Sequence, residues 1–343
     1  MTKNEQTLHK LDTVSLFSGA GGLDLGFIQA GFNIIWANDF DKYAVQSYKA
    51  NIGEHIHEGD INDLLDDIPS HEVLLAGFPC QPFSMMGKQQ GFDDHRGTLF
   101  FSIEKILIKH NPNIIVLENV KNLETHDSGK TFKRMKDILE GLGYKLYWDI
   151  LNSADYGVPQ TRRRLFVIGF KEEFYNNYIS EFMFPPQTVP KKLTVQDILD
   201  EEVEPKRFLS EKVLKTVLAT GTKNYVARPK IDLEVARPLC ATMHKMHRAS
   251  QDNYYTDSEN RNKFKDTEDR PISNVRMLTP NECRKLQGFP DDWVQVVSDL
   301  QAYRQFGNAV TVNVSYSIAK QIIQSLNYDK NTEKGREHFD DNK

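Results

Sequence analysis

Four side chains in this 343-residue sequence are of the kinds that carry nucleophilic, acid–base and anion- or carbonyl-binding chemistry: Cys80, Glu118, Arg162 and Arg164. Cys80 sits in Gly77-Phe78-Pro79-Cys80-Gln81-Pro82-Phe83-Ser84, between two prolines whose fixed φ stiffens the turn. A lone cysteine is more often a small buried hydrophobe. A core cysteine, however, needs neither flanking prolines nor the Gly-, Ser- and charge-rich stretch that runs from Ser84 to Gly97. The thiol therefore reads as a nucleophile. Glu118 follows the apolar run Asn113-Ile114-Ile115-Val116-Leu117. A carboxyl just beyond a buried strand is partly desolvated, which raises its pKa and lets it donate a proton; a helix-cap or loop acid is the plainer alternative. Three consecutive arginines, Arg162 to Arg164, are usually a solvated edge. Strand alternation nevertheless puts Arg162 and Arg164 on one face and Arg163 on the other, so two guanidiniums could address one carbonyl or phosphate.

These groups need elements to hold them. Glu72 to Ala76 is a short apolar run that predicts a buried strand delivering Cys80 to a sheet edge. Val14-Ser15-Leu16-Phe17 predicts a first strand, followed by Ser18-Gly19-Ala20-Gly21-Gly22 and a helical pattern ending near Gly31. Strand, glycine turn and helix make a cradle for an anion or a cofactor, because glycines let the backbone approach a ligand. The dinucleotide fingerprint is not met, since Asp24 stands where the third glycine belongs. Asn33 to Ala37 predicts a second strand, and Asp39 at its end is placed to accept from ribose hydroxyls. Phe40 beside it is suited to stack on adenine, and Asp60, after the strand near His55 to Glu58, to accept from the adenine amino group. Each acid singly is a plausible loop residue. Together, without a diphosphate-binding glycine, they favour a nucleoside lacking phosphates, such as S-adenosylmethionine. Helices over Thr98–His110 and Thr131–Leu142 and strands over Tyr144–Leu151 and Leu165–Gly169 complete an α/β pattern. Its ligands belong at the carboxyl ends of parallel strands.

The balance of 43 basic and 48 acidic residues gives a net charge of −5. A nucleic-acid site must then be a local basic patch. The three cysteines, Cys80, Cys240 and Cys283, are far apart and odd in number, which argues against a disulfide framework or a zinc site and for a reducing compartment. Met1 to Lys10 is polar, so no signal peptide is expected; no apolar run approaches a membrane span, and a cytoplasmic protein without a membrane partner is expected.

In order and spacing, five segments resemble the C5-cytosine DNA methyltransferases. They are Phe17-Ser18-Gly19-Ala20-Gly21-Gly22, Pro79-Cys80-Gln81, Glu118-Asn119-Val120, Gln160-x-Arg162-x-Arg164 and Gln305-Phe306-Gly307-Asn308-Ala309-Val310. The likeness runs over roughly residues 11–170 and 276–325. It implies a Rossmann-like sheet for S-adenosylmethionine-dependent methyl transfer, with helices on both faces, plus a smaller irregular target-recognition domain. It also implies double-stranded DNA with a short specific site as substrate, S-adenosylmethionine as cofactor, and a cognate restriction endonuclease acting separately. A monomer suffices for one asymmetric site. By the same resemblance Cys80 adds to C6 of a cytosine flipped out of the duplex. Glu118 holds N3 and the exocyclic amine, Arg162 and Arg164 hold O2, and C5 takes the methyl group. Phe17, Gly19, Gly21, Gly22, Asp39, Phe40, Asp60, Pro79 and Asn308 are expected around the cofactor. Ser84, Lys88, Gln160, Thr242, His244, Lys245 and Arg248 are expected on DNA, and the Ser84–Gly97 stretch is a natural lid over the flipped base.

The expected divisions are residues 1–188 for catalysis and cofactor, 189–275 for target recognition, 276–306 as hinge and return, 307–326 as a C-terminal helix rejoining the first domain, and 327–343 as a charged tail of low apolar content. In the middle segment His244 and His247 lack a completing cysteine or carboxylate pair, which argues against a metal. Within 276–306, Thr279, Pro280 and Glu282 spell the start of a helix, and Cys283 inside it reads as core. An NAD-dependent oxidoreductase would want the missing glycine and has no use for Cys80. A tRNA cytosine methyltransferase shares the motifs but usually carries a Cys-Phe-Thr tripeptide, absent here.

Overall fold

A computed structural model of the chain describes residues 11–78, 99–187, 193–222, 225–268 and 270–326. The first half alternates strand and helix. The order is β1 (Asp12–Leu16), α1 (Gly22–Ala30), β2 (Asn33–Asp39), α2 (Lys42–Asn51), β3 (Ile56–Glu58), β4 (Val73–Gly77), α3 (Leu99–His110), β5 (Ile114–Val120), α4 (Lys130–Gly141), β6 (Tyr144–Asn152) and β7 (Arg163–Lys171). These strands form one seven-stranded sheet in the order β3-β2-β1-β4-β5-β7-β6. β1 to β5 run parallel, while β7 lies antiparallel to both β5 and β6.

The sequence explains why both faces are covered. β4 and β5 are continuous apolar runs, so successive residues must be buried on opposite sides. Leu75, Val116 and Ile168 pack with Leu23 and Phe27 of α1 on one side. Leu74, Ala76, Ile115 and Leu117 pack with Phe100, Ile103 and Leu107 of α3 and Met135 and Leu139 of α4 on the other. A 12-residue helix such as α3 is marginal alone in water, so this burial holds it in place. The strand order reverses direction between β1 and β4, and the carboxyl ends of those two strands flank the crevice where open α/β sheets bind ligands.

Downstream follow α5 (Glu172–Tyr178), α6 (Glu211–Val217), the two-residue strands β8 (Gly221–Thr222) and β9 (Tyr225–Val226), β10 (Tyr254–Thr256), α7 (Ser258–Lys263), β11 (Val275–Met277), α8 (Pro280–Leu286), α9 (Asp299–Asn308) and α10 (Val312–Ser325). α10 supplies Val314, Ile318 and Ile322 to the α1 side of the sheet. A third core holds Val195, Leu209, Leu239, Tyr254 and Met277 together with Leu286 of α8 and Phe306 of α9. Residues on either side of position 275 therefore share one core. α8 starts with a complete capping box: Thr279 accepts from the Glu282 backbone, Glu282 accepts from the Thr279 N–H, and Pro280 sits in the first turn. Glu282 also receives Arg276, with Nη1 at 2.9 Å and Nη2 at 2.8 Å, so a buried charge pair fixes β11 to α8. Cys283 is fully buried.

Candidate active site

The β4–β5 register sets Gly77 directly beside Glu118. A Cβ on Gly77 would stand 3.7 Å from Glu118 Oε2, so the backbone that leads into Pro79-Cys80 runs alongside that carboxyl. Asn119 reinforces the approach, its Nδ2 donating to the Phe78 carbonyl at 2.8 Å. Cys80 itself, with Pro79, Ser84, Lys88 and the Ser84–Gly97 stretch, lies outside the described residues.

Glu118 is buried, and Arg164 Nε approaches its Oε1 to 3.1 Å across the antiparallel β5–β7 pair. Burial pushes the Glu118 carboxyl above its ordinary range, with Arg164 and then Arg162 pulling it back. The carboxyl is thereby poised to carry a proton beside a fixed positive charge.

Arg162 departs from the expected pairing. Its side chain is 1% exposed, and its Nη1 and Nη2 donate to the carbonyls of Leu239 at 2.9 Å and Gly307 at 3.1 Å. Burial and the like charge of Arg164 pull its pKa down to about 9. Two of its donors are thus committed to protein backbone, and Nε is buried without a partner. Alternation along a strand does not govern this residue because β7 begins only at Arg163.

Gln160, expected on DNA, is corrected outright. It is fully buried, its Nε2 donating to the Leu286 carbonyl at 2.9 Å and its Oε1 accepting from the Leu239 N–H at 2.8 Å. Around it, Thr161 N–H reaches the Ala236 carbonyl and Ala236 N–H reaches the Pro159 carbonyl. Gln287, which the motifs did not single out, extends the lattice by donating to the Phe306 carbonyl at 2.5 Å and accepting from Thr311 Oγ1 at 2.8 Å. Gly307 belongs to the same lattice, since a Cβ there would lie 2.3 Å from the Cys240 carbonyl carbon and the Ala241 nitrogen. The segment 236–241 is therefore pinned against the catalytic sheet, three residues from Leu239 to Thr242.

Thr242 is exposed, and its hydroxyl lies 3.1 Å from His247 Nε2. Lys245 is exposed, while His244 and Arg248 are half-buried.

The cofactor candidates gather at the carboxyl ends of β1 and β2. Gly19 has φ +57° with open space where a Cβ would be, and its N–H donates to Asp39 Oδ2 at 2.8 Å. Gly21 has φ +87°, and Gly22 abuts the Val310 carbonyl, so side chains are excluded from both. Phe17 also adopts positive φ at the turn. Asp39 is buried; its second oxygen accepts from Asp41 N–H at 2.8 Å, and burial raises its pKa. Both Asp39 oxygens thus already shape the protein backbone, each with capacity for one more donor. Phe40 is 76% exposed beside it. Asp60 is exposed and caps a 3-10 turn through Asn62 N–H at 2.9 Å, using one of its oxygens. Asn308 is exposed at the end of α9. An open glycine, an exposed aromatic ring and carboxylates at two strand ends fit an adenine nucleoside.

Comparison with known proteins agrees with this geometry. The profile of the C-5 cytosine-specific DNA methylase family matches residues 11–324. The Type II methyltransferase M1.ScrFI of Lactococcus lactis subsp. cremoris is 38% identical over 94% of this chain and 80% of its own length. M.NlaX of Neisseria lactamica is 39% identical, with 91% of this chain and 96% of that protein covered. Among solved structures, the S. pombe Dnmt2 methyltransferase superposes with a TM-score of 0.71 at 22% identity, covering 92% of this chain and 99% of that one. At that identity the likeness concerns the fold.

Proposed function

The chain belongs to the C-5 cytosine-specific DNA methylase family and is a C5-cytosine DNA methyltransferase of the Type II kind, and we propose that it works through a transient bond between Cys80 and the target base. What carries this reading is the placement of Glu118: it pairs with Gly77, three residues before Cys80, and holds Arg164 at 3.1 Å. A free thiol has a pKa of about 8.5, so the Arg164 guanidinium beside Glu118 favours the reactive thiolate.

The thiolate attacks C6 of a cytosine drawn out of the stack. Negative charge then builds on the ring, and the protonated Glu118 carboxyl donates to N3, where that charge collects. Arg164, facing Glu118, is positioned to hold O2. Arg162 acts one step back, keeping the segment that carries Thr242 in register with the ring. S-adenosylmethionine, when bound by Gly19, Gly21, Gly22, Asp39, Phe40 and Asp60 with Asn308 alongside, supplies an electrophilic methyl group on sulfur. C5 takes that methyl; loss of the C5 proton returns the electron pair that breaks the C6–sulfur bond and releases Cys80. Residues 189–275, with Thr242, His244, Lys245 and Arg248, serve as the DNA reader. Among the described residues no helix is long and apolar enough to cross a membrane. A cytoplasmic monomer protecting DNA against a separate restriction endonuclease is the matching cellular role.

Duplex DNA carrying 5-fluorocytosine tests the mechanism, since fluorine blocks the final elimination. A denaturation-resistant protein–DNA adduct that needs S-adenosylmethionine and is lost in Cys80→Ser is expected. Labelled methyl transfer to tRNA but not to DNA, or activity retained in Cys80→Ser, would overturn the reading.

A further inference from the structure

Beneath the glycine turn lies a carboxylate that the methyl-transfer steps do not use. Asp24, which replaces the third glycine of the dinucleotide pattern, is fully buried in the first turn of α1. Its Oδ1 accepts from Ser15 Oγ at 2.6 Å and its Oδ2 from Tyr48 Oη at 2.8 Å. Each hydroxyl has one proton, and each spends it on Asp24. Both must then accept from their other neighbours. Ser18 Oγ lies 2.9 Å from Ser15 Oγ, and His55 Nε2, in its N–H tautomer, lies 3.0 Å from Tyr48 Oη. Four hydrogen bonds therefore run toward one carboxylate.

These bonds tie together three walls of the cradle. Ser15 belongs to β1, Ser18 opens the turn, and Tyr48 comes from α2, its ring 3.1 Å from where a Gly21 Cβ would be. The turn is closed above by Gly21 N–H on the Ser18 carbonyl and by Ser18 N–H on the Asn38 carbonyl. Ser18 is thus fixed from below by the Asp24 chain and from the side by β2. Burying a carboxyl here is costly, as the rise of its pKa to about 6 records. An apolar residue would fill the same interior space without that cost, but would orient no hydroxyl.

We propose that Asp24 is a positioning residue for the cofactor: through Ser15, Ser18 and Tyr48 its carboxylate sets the turn 18–22 in the conformation that receives S-adenosylmethionine. The inference rests on the cofactor reading above. Asn at this position accepts one hydroxyl but turns an amide N–H toward the other, so it restores half of the arrangement; Ala restores none.

Isothermal titration of S-adenosylmethionine into the full chain and its variants tests this, alongside steady-state rates and melting temperatures. Asp24→Ala is expected to weaken cofactor binding about tenfold or more, the worth of one lost charge-assisted hydrogen bond, and Asp24→Asn by less. In both, kcat at saturating cofactor and KM for DNA stay within about twofold. Cofactor affinity unchanged in folded Asp24→Ala overturns the proposal, as does a rise in KM for DNA equal to the loss of cofactor affinity. If Asp24→Ala does not fold, Ser15→Ala and Tyr48→Phe replace it, and unchanged affinity in both overturns the proposal equally. The parent chain in the same titration separates the two readings. Its failure to bind S-adenosylmethionine overturns the cofactor assignment and this proposal with it, whereas parent binding that survives every substitution overturns this proposal alone.

Discussion

Replacing Gln160 with Leu separates a residue that reads DNA from one that holds the protein together. Leu is close to Gln in size, so the substitution opens no large cavity. It does strip partners from two buried backbone groups, the Leu239 N–H and the Leu286 carbonyl, now bound at 2.8 Å and 2.9 Å. Each orphaned group costs about 1–3 kcal/mol, giving about 4 kcal/mol together. For a chain of this length the urea slope lies at or above the upper end of the roughly 1–3 kcal/mol per molar of small proteins, so the midpoint falls by about 1 M. Gln160→Glu keeps the acceptor for Leu239 but sets a second acceptor against Leu286, and should lose at least as much near neutral pH. The slope of DNA affinity against salt, which counts phosphate contacts, should not change in either variant. Urea titration followed by fluorescence, with filter binding at several salt concentrations, reads both quantities. An unshifted midpoint together with DNA affinity weakened to the same degree at every salt concentration would show that Gln160 touches DNA without holding the fold, and would refute the reasoning.

Three other substitutions probe the remaining parts. Glu118→Gln should lower single-turnover methyl transfer about a hundredfold with DNA affinity unchanged. The parent's rate should also fall as pH rises through the elevated Glu118 pKa, and this limb should vanish in the variant. Gly307→Ala drives a methyl group to within 2.3 Å of the Cys240 and Ala241 backbone, so chemical denaturation should show a loss of about 1–3 kcal/mol and KM for DNA should rise. Asp24 titrates near 6 in the folded chain against 3.8 ordinarily, so its protonation favours the fold fully below about pH 4, and the benefit is lost as pH rises through 6. About two pKa units correspond to about 3 kcal/mol. The stability of Asp24→Asn relative to the parent should therefore improve by roughly that amount between pH 4 and pH 7, measured by denaturant midpoints, and a flat difference would count against the burial argument.

Much of this architecture was legible in the residues because it depends on local rules. The apolar run at 113–117 could only be a strand buried on both faces, which placed Glu118 at its end. Thr279-Pro280-Asn281-Glu282 spelled a helix start in four letters, and the start is where it was read. The errors came where a side chain's partner is remote in sequence. Alternation puts Arg162 on the face of Arg164, but Arg162 precedes the strand, and its acceptors are 77 and 145 residues away. Gln160 reads as an exposed polar residue in an arginine-rich stretch until Leu286 and Leu239 close over it. Asp24 was visible as a missing glycine; the hydroxyls that surround it come from β1 and α2, and no spacing rule brings them together.

The grip of Gln160 and Arg162 on the neighbouring lobe has a bearing on how such an enzyme can diversify. What they grasp at position 239 is an amide hydrogen and a carbonyl oxygen, and at position 307 another carbonyl, backbone atoms that do not depend on the side chain, proline's missing N–H at 239 excepted. The letters between roughly 193 and 275 that do not reach the core shared with α8 and α9 are thus free to drift at little expense to the joint. If this segment reads DNA as proposed, a foreign one grafted at these junctions would inherit the same backbone handholds, and the catalytic half would not need rebuilding to receive it.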